Sequence, residues 1–309
     1  MKKDLNTTFN LQPSTSHTTV LLHETVDGLA LKKNATAIDA TVGTGGHTAL
    51  LAEAVGKKGV VMAIDADELS LTLSRERLKG VDAKILFIQG NFRNLKELAT
   101  EAGITEADGI AFDLGWHTEQ LQSGRGLSFK EDEPLLMTLS SSGEGITAKD
   151  IIADWDEEEI AKIIREYGEE RFSGRIARVI VEHRDKKEIQ TARELADIIA
   201  SAVPGFYRRG RINPATRTFQ ALRIAVNDEL GALTVALSSA LELLSPGGRV
   251  AVISFHSLED RIVKHAFHNA EKEGKGKRIT KKPIIPSDEE RKNNPRARSA
   301  KLRIFEKKT

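Results

Sequence analysis

Short apolar runs alternate with amphipathic stretches through the first third of the chain. Four apolar runs predict strands, at residues 37–40, 59–64, 84–88 and 109–114. The segments that follow the first three runs have the spacing of amphipathic helices, at residues 46–55, 69–78 and 92–99. Runs that are apolar throughout are typical of strands buried on both faces. The pattern therefore predicts a parallel sheet built from right-handed βαβ units.

The strand–helix alternation stops near residue 125. Residues 125–215 show helical periods only, at 155–167, 175–183 and 192–202. The alternation then resumes with a long helix, a strand and a helix, at residues 221–244, 249–255 and 258–269. Two final runs, 278–285 and 300–305, are candidates for an antiparallel edge. We predict a doubly wound α/β sheet that is interrupted after its fourth strand by a helical insertion.

This pattern divides the chain into two domains and a tail. Residues 17–124 and 216–309 are expected to form one discontinuous sheet domain, and residues 125–215 the inserted helical domain. Residues 1–16 are polar and are expected to form a flexible N-terminal tail. A length of 309 residues agrees with two domains.

Composition excludes several classes of protein. The chain has 0 cysteines, so a disulfide scaffold, a cysteine nucleophile and a thiolate metal site are ruled out. It has no apolar run of the ~18–20 residues that a membrane span needs. No G-x-x-x-x-G-K-[ST] motif occurs, which excludes a P-loop nucleotidase. We expect a cytoplasmic protein that is not bound to a membrane.

Charge is strongly segregated although the total is +1. Residues 131–170 carry 13 acids and 3 bases, whereas residues 271–309 carry 14 bases and 6 acids. Residues 205–225 contain five arginines and no acid. A basic face of this kind favours a polyanion, although basic loops and tails are also common without one. Within it, Arg208, Arg209 and Arg211 beside two aromatic residues are candidate RNA contacts.

A glycine-rich loop follows the first predicted strand, in the sequence DATVGTGGH at residues 39–47. Glycines permit a tight turn and close approach of the backbone, and the next helix directs free N–H groups at a ligand. Asp65 ends the second strand 20 residues after Gly45, where an acid accepts hydrogen bonds from ribose hydroxyls. An adenosine-containing cofactor is therefore expected. The alternative is an ordinary strand–helix turn with a surface aspartate.

The spacing of the loop separates two cofactor classes. It reads G-x-G-G and lacks the G-x-G-x-x-G fingerprint of dinucleotide-binding proteins. Asp39 would repel a pyrophosphate but would suit a cationic amino-acid group. S-adenosylmethionine therefore fits better than a nicotinamide dinucleotide, and an NAD-dependent dehydrogenase is the disfavoured alternative.

Asp113 ends the fourth predicted strand, at the edge where the reaction centre of such a fold lies. It is a candidate catalytic residue that orients an amine, and contact with the cofactor is its alternative role. Trp116 is a candidate for stacking on an extruded base. It could equally close the hinge to the inserted domain. His265 and His268 lack a third ligand nearby, so no metal is expected.

Eight motifs between residues 17 and 299 resemble the bacterial 16S ribosomal RNA (cytosine(1402)-N4)-methyltransferase family, and the resemblance covers residues 17–306. They are HTTVLLHE (17–24), DATVGTGGH (39–47), GRGLSF (124–129), YGEERF (167–172), PATRTFQALRI (214–224), VNDEL (226–230), ISFHSLEDR (253–261) and NPRARS (294–299).

The resemblance implies a class I S-adenosylmethionine-dependent methyltransferase with a Rossmann-like doubly wound sheet. It implies an inserted helical domain that holds RNA, and 16S rRNA in the small ribosomal subunit as substrate. The cofactor positions of the family fall on Gly45, Gly46, His47, Asp65, Phe92, Asp113 and Gln120.

Two segments depart from the family pattern. Trp116, His117 and Thr118 stand where the family commonly has an apolar residue and two serines. Leu136 and Thr138 replace an acid and a base. These changes leave two alternatives open: an altered RNA-binding or ribosome-assembly factor on the same fold, or a methyltransferase with a shifted target base.

Overall fold

The computed structural model describes residues 18–116, 118–121, 123–139 and 145–309, except for the side chains of residues 118 and 119. The predicted tail at residues 1–16, together with His17 and His117, lies outside the described residues.

The centre of the structure is a seven-stranded sheet with the order β3-β2-β1-β4-β5-β7-β6. Its strands are β1 (Thr36–Asp39), β2 (Val60–Asp65), β3 (Lys84–Gln89), β4 (Ala107–Asp113), β5 (Leu244–Ser254), β6 (Gly276–Arg278) and β7 (Lys301–Lys307). The strands β1 to β5 pair in parallel, and β7 runs antiparallel to both β5 and β6. The predicted doubly wound α/β sheet is confirmed.

The helices cover the sheet and form a second layer of their own. They are α1 (Leu22–Leu29), α2 (Gly46–Val55), α3 (Glu68–Arg77), α4 (Leu95–Glu101), α5 (Thr118–Leu121), α6 (Ala148–Asp154), α7 (Glu157–Glu166), α8 (Ser173–Arg184), α9 (Ala192–Ala202), α10 (Gly205–Arg208), α11 (Ala215–Asn227), α12 (Glu229–Leu243), α13 (Ser257–Lys272) and α14 (Asp288–Asn293). The central strands are dry on both faces, since Ala37, Ile38, Val61 and Met62 are all 0% exposed. This burial is what the continuous apolar runs predict.

The C-terminal edge differs in detail from the prediction. The run at 300–305 lies in β7, as predicted, but the run at 278–285 does not form a strand of that length. Its partner strand β6 ends at Arg278, and beyond it Ile284 makes a single bridge to Leu302. Pro283 interrupts the run and cannot donate to a ladder, which accounts for the short pairing.

The predicted long helix at 221–244 is wrong in one respect, because the structure has two helices there. Asp228 adopts a left-handed conformation with φ 44° between α11 and α12, and the two helix axes are bent by 58°. Aspartate tolerates this conformation better than most residues, and Arg93 forms an ion pair with its carboxylate. Among the described residues no single helix is long and apolar enough to cross a membrane, and only this bent pair passes such a test when taken together.

A second hydrophobic core lies among the helices α6 to α11. Its fully buried members include Ile151, Ile160, Ile176, Leu195 and Leu222. The helix α11 belongs to this core and leads directly into α12, which packs on the sheet. The chain therefore passes from the helical layer to the sheet through the bend at Asp228, beside the carboxyl ends of the strands.

Candidate active site

Three strands end in an aspartate at the same edge of the sheet: β1 in Asp39, β2 in Asp65 and β4 in Asp113. A cavity of about 780 Å³ opens at this edge, and we call it the strand-end cavity. Its wall includes Thr41, Gly43, Asp65, Asn91, Phe92, Asp113, Trp116, Gln120, Asn227, Glu229, Leu233 and Glu259.

The glycine-rich loop is held over this edge by its own backbone. Gly43 and Gly45 have φ values of 50° and 82°, which few residues other than glycine adopt without strain. The Asp65 carboxylate accepts hydrogen bonds from the N–H groups of Gly43 and Asp67, both at 2.9 Å. Asp65 therefore fixes the loop while it also lines the strand-end cavity.

The two glycines after Thr44 pack against different neighbours. Gly46 begins α2 and lies against the side chain of Thr19, with no room for a Cβ atom. Gly45 packs against Ser74 and Leu78 on and beyond α3. Of the predicted loop positions, the structure places Gly46 and His47 on a cavity wall, and Gly45 turns towards α3 instead.

Asp39 braces the loop from below. It is 1% exposed, and its carboxylate accepts a hydrogen bond from the Thr48 hydroxyl at 2.6 Å and from the Thr41 N–H at 3.2 Å. Burial raises the pKa of Asp39 to about 6. Asp39 is not one of the described residues that line either cavity. It would therefore act on a ligand only as a nearby buried charge.

Asp113 lies at the centre of the site. The Nδ1 atom of His47 is 3.7 Å from its carboxylate, and the Gly115 N–H donates to it at 3.2 Å. Burial raises the pKa of Asp113 to about 7, with the carboxylates of Asp39 and Glu259 adding to the effect. Burial likewise raises the pKa of Asp65 to about 6. A positive charge bound at this edge would therefore stabilise the ionised forms of these carboxyl groups.

A second cavity, of about 1,570 Å³, lies between the sheet edge and the helical layer, and we call it the insertion-side cavity. Its wall includes Thr19, Gly46, His47, Asp113, Trp116, Phe129, Met137, Phe219, Gln220, Arg223, His256, Glu259 and Arg296. Asp113, Gly115, Trp116 and Glu259 line both cavities. The two spaces therefore meet at the end of β4.

Trp116 and Arg223 connect the sheet with the helical layer. The Arg223 guanidinium carbon lies 4.8 Å from the centre of the Trp116 ring, which is a cation–π contact. Arg223 also donates twice to Glu229, at 2.7 and 2.9 Å. Trp116 thus faces both cavities and contacts α11, so the geometry agrees with each of the two roles that its position predicts.

Glu229, His256 and Glu259 offer ligand atoms within 4.8 Å of one another. His256 is the N-cap of α13, and Glu259 accepts hydrogen bonds from the Phe255 and His256 N–H groups at 2.7 and 3.2 Å. Because Glu229 is already the bidentate partner of Arg223, we describe this trio as part of an ion-pair network.

The remaining predicted residues separate into two groups. Phe92 and Gln120 line the strand-end cavity, and Phe92 packs edge-on against Phe112 with ring centres 6.0 Å apart. Arg208, Arg209 and Arg211 are exposed on and after α10 and line neither cavity.

An aromatic and basic surface surrounds the three arginines. Phe206 is 62% exposed, and the Arg171 guanidinium lies over the rings of Phe172, Phe206 and Tyr207 at 4.8, 5.7 and 5.1 Å. We call Arg171, Phe206, Arg208, Arg209 and Arg211 the arginine–aromatic surface.

The segment that departs from the family pattern forms part of the site. Asn227 donates to the Met137 carbonyl and accepts from the Leu139 N–H, both at 2.8 Å. Leu139 lines the strand-end cavity, and Met137 lines the insertion-side cavity. Leu136 and Thr138 therefore stand in a segment that the end of α11 fixes.

Sequence reasoning missed four residues of the site: Arg223, Asn227, Glu229 and Glu259. All four stand within motifs noted above, but residue type alone gave them no role. The prediction of one continuous helix at 221–244 placed residues 223–229 in its first turns, whereas the bend at Asp228 turns this segment toward both cavities.

Comparison with known proteins identifies relatives along the whole chain. A sequence model of the MraW methylase family matches residues 14–308. The ribosomal RNA small subunit methyltransferase H of Brevibacillus brevis is 46% identical over 307 residues, covering 94% of this chain and 98% of that protein.

Solved structures are more distant. A candidate rRNA methylase from Clostridium thermocellum is 16% identical with a TM-score of 0.44, covering 94% of this chain and 100% of that one. An S-adenosylmethionine-dependent O-methyltransferase from Thermotoga maritima is 12% identical with a TM-score of 0.40, covering 92% of this chain and 63% of that one.

Proposed function

The chain belongs to the MraW methylase family, and on this premise we propose that it methylates small-subunit ribosomal RNA. The reaction is transfer of a methyl group from S-adenosylmethionine to N4 of a cytosine, at the position equivalent to C1402 of 16S rRNA. Such a substrate places the protein in the cytoplasm.

The observation that carries the proposal is the junction of two cavities at Asp113 and Trp116. A methyl transfer needs a donor and an acceptor that reach one point from different sides. The strand-end cavity lies at the carboxyl ends of the strands and is the smaller of the two, whereas the larger insertion-side cavity opens toward the helical layer. We assign the first cavity to the cofactor and the second to the target base.

The chemistry of the strand-end cavity fits S-adenosylmethionine. Asp65 would accept the ribose hydroxyls, Phe92 and Leu233 would form an apolar wall for the adenine, and Gln120 offers a neutral polar group. Of the glycine-rich loop, Gly43 lines this cavity, and its backbone would approach the ligand closely. When bound, this cofactor supplies an electrophilic methyl group on a sulfonium.

The chain's own residues position the acceptor. The exocyclic amine of cytosine is a weak nucleophile, and catalysis depends mainly on holding it in line with the methyl group. An ionised Asp113 accepts an N4–H hydrogen bond and orients the nitrogen lone pair. Methylation of N4 would release one proton from this nitrogen, and the Asp113 carboxylate would be placed to receive it.

Trp116 provides a face on which an extruded base can stack, since it lines the insertion-side cavity next to Asp113. Stacking of one base on an aromatic ring contributes about 1–3 kcal/mol. The energy is of the size needed to offset removal of the base from its own stack.

RNA outside the target base would lie on the arginine–aromatic surface. Arg208, Arg209 and Arg211 present three positive charges to phosphates, and Phe206 exposes a ring to unpaired bases. The helical layer, which α11 extends beyond the predicted boundary at residue 215, would thus hold the RNA while the sheet layer carries the reaction.

The test uses small ribosomal subunits that lack this modification. Purified protein is incubated with them and with methyl-labelled S-adenosylmethionine, and the nucleosides are identified by mass spectrometry after digestion. We expect N4-methylcytidine at one site, and no label with Asp113→Asn. Label on another base would indicate a shifted target, and cofactor binding without label would indicate an RNA-binding assembly factor.

A further inference from the structure

We infer that Arg223 reads the Watson–Crick edge of the target cytosine and makes the site specific for cytosine over uracil. The inference rests on the proposed function. It gives the site a specificity-determining residue on α11, opposite the strand that carries Asp113.

The position of Arg223 suits contact with a base beside Trp116. Its guanidinium lies over the Trp116 ring at 4.8 Å, and its side chain lines the insertion-side cavity together with Asp113. The side chain is 20% exposed, so it opens to the cavity while most of it is buried. A base that reaches Asp113 through this cavity passes Arg223.

The geometry leaves donors of Arg223 available. Its Nε and Nη2 atoms each donate to one oxygen of Glu229, at 2.7 and 2.9 Å. No described residue accepts from Nη1. A guanidinium has five N–H donors in a fixed plane, so three of them stay free for a ligand.

Cytosine requires such donors. Next to N4 its edge presents two acceptors, N3 and O2, and burial of an acceptor without a partner is costly. The carboxylates of Asp113, Glu229 and Glu259 cannot donate when they are ionised. Arg223 is the charged donor that contacts Trp116, and it complements N3 and O2 while Asp113 complements N4–H.

The same contact rejects uracil. Uracil carries a hydrogen on N3, which would meet the N–H groups of Arg223, and it has an oxygen at position 4, which would meet the Asp113 carboxylate. A site that is built around a substrate hydrogen bond discriminates strongly, because the wrong base leaves buried groups unpaired.

Glu229 sets the orientation of Arg223. It stands directly after the bend at Asp228, is 12% exposed and lines the strand-end cavity, so the ion pair forms part of the wall between the two cavities. The bidentate pairing holds the guanidinium plane in one orientation. Glu229 is therefore a positioning residue.

The experiment removes either the arginine or the acceptor that it reads. Small subunits are reconstituted with cytidine or 3-deazacytidine at the target position; the analogue keeps N4 but has C–H in place of N3. Wild-type protein, Arg223→Met, Arg223→Lys and Glu229→Gln are compared for kcat, KM and cofactor-free binding to the subunits. Arg249→Met is the matched control, because Arg249, in the middle of β5, forms a similar ion pair with Glu306 at 2.8 Å and lines neither cavity.

We expect 3-deazacytidine to lower kcat/KM of the wild type by about 10- to 100-fold, the range for loss of a hydrogen bond to a charged group. Arg223→Met should lose a similar factor on cytidine and then respond less than about threefold to the analogue. Arg223→Lys should retain part of the response, and Glu229→Gln should bind subunits more weakly while it keeps the response. The control should behave as wild type throughout.

Three results would overturn the inference. The first is an Arg223→Met protein that is as active as the wild type, and the second is an Arg223→Met protein that keeps the full response to 3-deazacytidine. The third is a lower affinity of Arg223→Met for S-adenosylmethionine in calorimetry, which would make Arg223 a cofactor contact. If Arg223→Met does not fold, Arg223→Lys is the test. If Arg223 only supports the fold and does not contact the base, Arg223→Lys should respond to 3-deazacytidine as the wild type does, and this result would overturn the inference. Absence of methylation of cytidine by the wild type would instead count against the proposed function.

Discussion

The Nδ1 atom of His47 lies 3.7 Å from the carboxylate of Asp113, so the first turn of α2 meets the end of β4. The contact joins the glycine-rich loop, which we assign to the cofactor, to the residue that we assign to the acceptor amine. Asp113 has a pKa raised to about 7 by burial, and Asp65, on β2, has one raised to about 6. Both groups therefore change charge close to neutral pH.

Cofactor binding should depend on pH through these two carboxyls. A sulfonium cation favours their ionised forms, so its binding should release protons and strengthen as pH rises. We expect the affinity for S-adenosylmethionine to fall about tenfold from pH 7 to pH 6 and more steeply below pH 6. Calorimetry in two buffers of different ionisation enthalpy measures the released protons. In Asp113→Asn the affinity for S-adenosylmethionine should change less between pH 6 and pH 7. An affinity that does not depend on pH would contradict the assignment of the strand-end cavity to the cofactor.

The free energy of unfolding of the unliganded protein should fall as pH rises, whereas cofactor affinity should increase. In the unfolded chain these carboxyls titrate near pH 4, whereas the folded protein keeps Asp39, Asp65 and Asp113 protonated up to about pH 6 to 7. The folded state thus holds more protons in this window, and the free energy of unfolding should decrease as pH rises from 4 to 7. Urea titrations at several pH values measure it. Asp113→Asn should lose part of the slope, and a rise in stability over this window would contradict the raised pKa values.

Gly46→Ala should weaken cofactor binding at least tenfold. A Cβ at this position would overlap the Thr19 side chain, so either the loop or the segment before α1 must move. Thr19→Ala in the same protein should restore part of the affinity, because it removes the overlapping hydroxyl. Gly174→Ala is the control, since a Cβ there would meet no atom within 4 Å outside its chain neighbours and the backbone of its own helix. Wild-type affinity in Gly46→Ala would show that the loop tolerates a displacement there.

Replacement of Arg208, Arg209 and Arg211 by glutamine should weaken RNA binding and reduce its salt dependence. Three lost phosphate contacts on single-stranded RNA lower the slope of log K against log salt by about 2. Cofactor affinity should stay unchanged, because these side chains line neither cavity. Replacement of Lys32, Lys57 and Lys58 removes the same charge from exposed positions at the other edge of the sheet. An equal loss in both proteins would indicate a general charge effect.

Most of the sheet follows from the hydrophobic pattern, because each central strand is buried on both faces. The helix α2 has the predicted bounds, Gly46–Val55, and the predicted aspartates Asp65 and Asp113 line one cavity. Parallel strands bring their carboxyl ends to the same edge, and for that reason sequence position alone could place these two residues.

The other half of the site could not be predicted in this way. The apolar period continues across Asp228 from Leu222 to Leu233, so it gives no sign of the bend. A single backbone conformation at Asp228 redirects the chain and brings Arg223 to Trp116, which is 107 positions earlier in the chain. Contacts between residues so far apart in the sequence depend on how the two layers pack, and the hydrophobic periodicity does not encode that packing.

Arg125→Met should destabilise the protein by about 3 kcal/mol, since it leaves the buried Asp67 carboxylate without its partner. The two side chains lie 3.1 Å apart and are 10% and 4% exposed, and Arg125 also donates to the Ser123 hydroxyl and the Leu139 carbonyl. They join the end of β2 to the segment that leads into the helical layer. Urea unfolding measures the loss, and addition of Asp67→Asn should recover part of it. The exposed pair of Arg291 and Asp288 is the control, because Arg291→Met should change the free energy of unfolding by less than about 0.5 kcal/mol. An equally small effect at Arg125 would mean that this buried ion pair does not stabilise the fold.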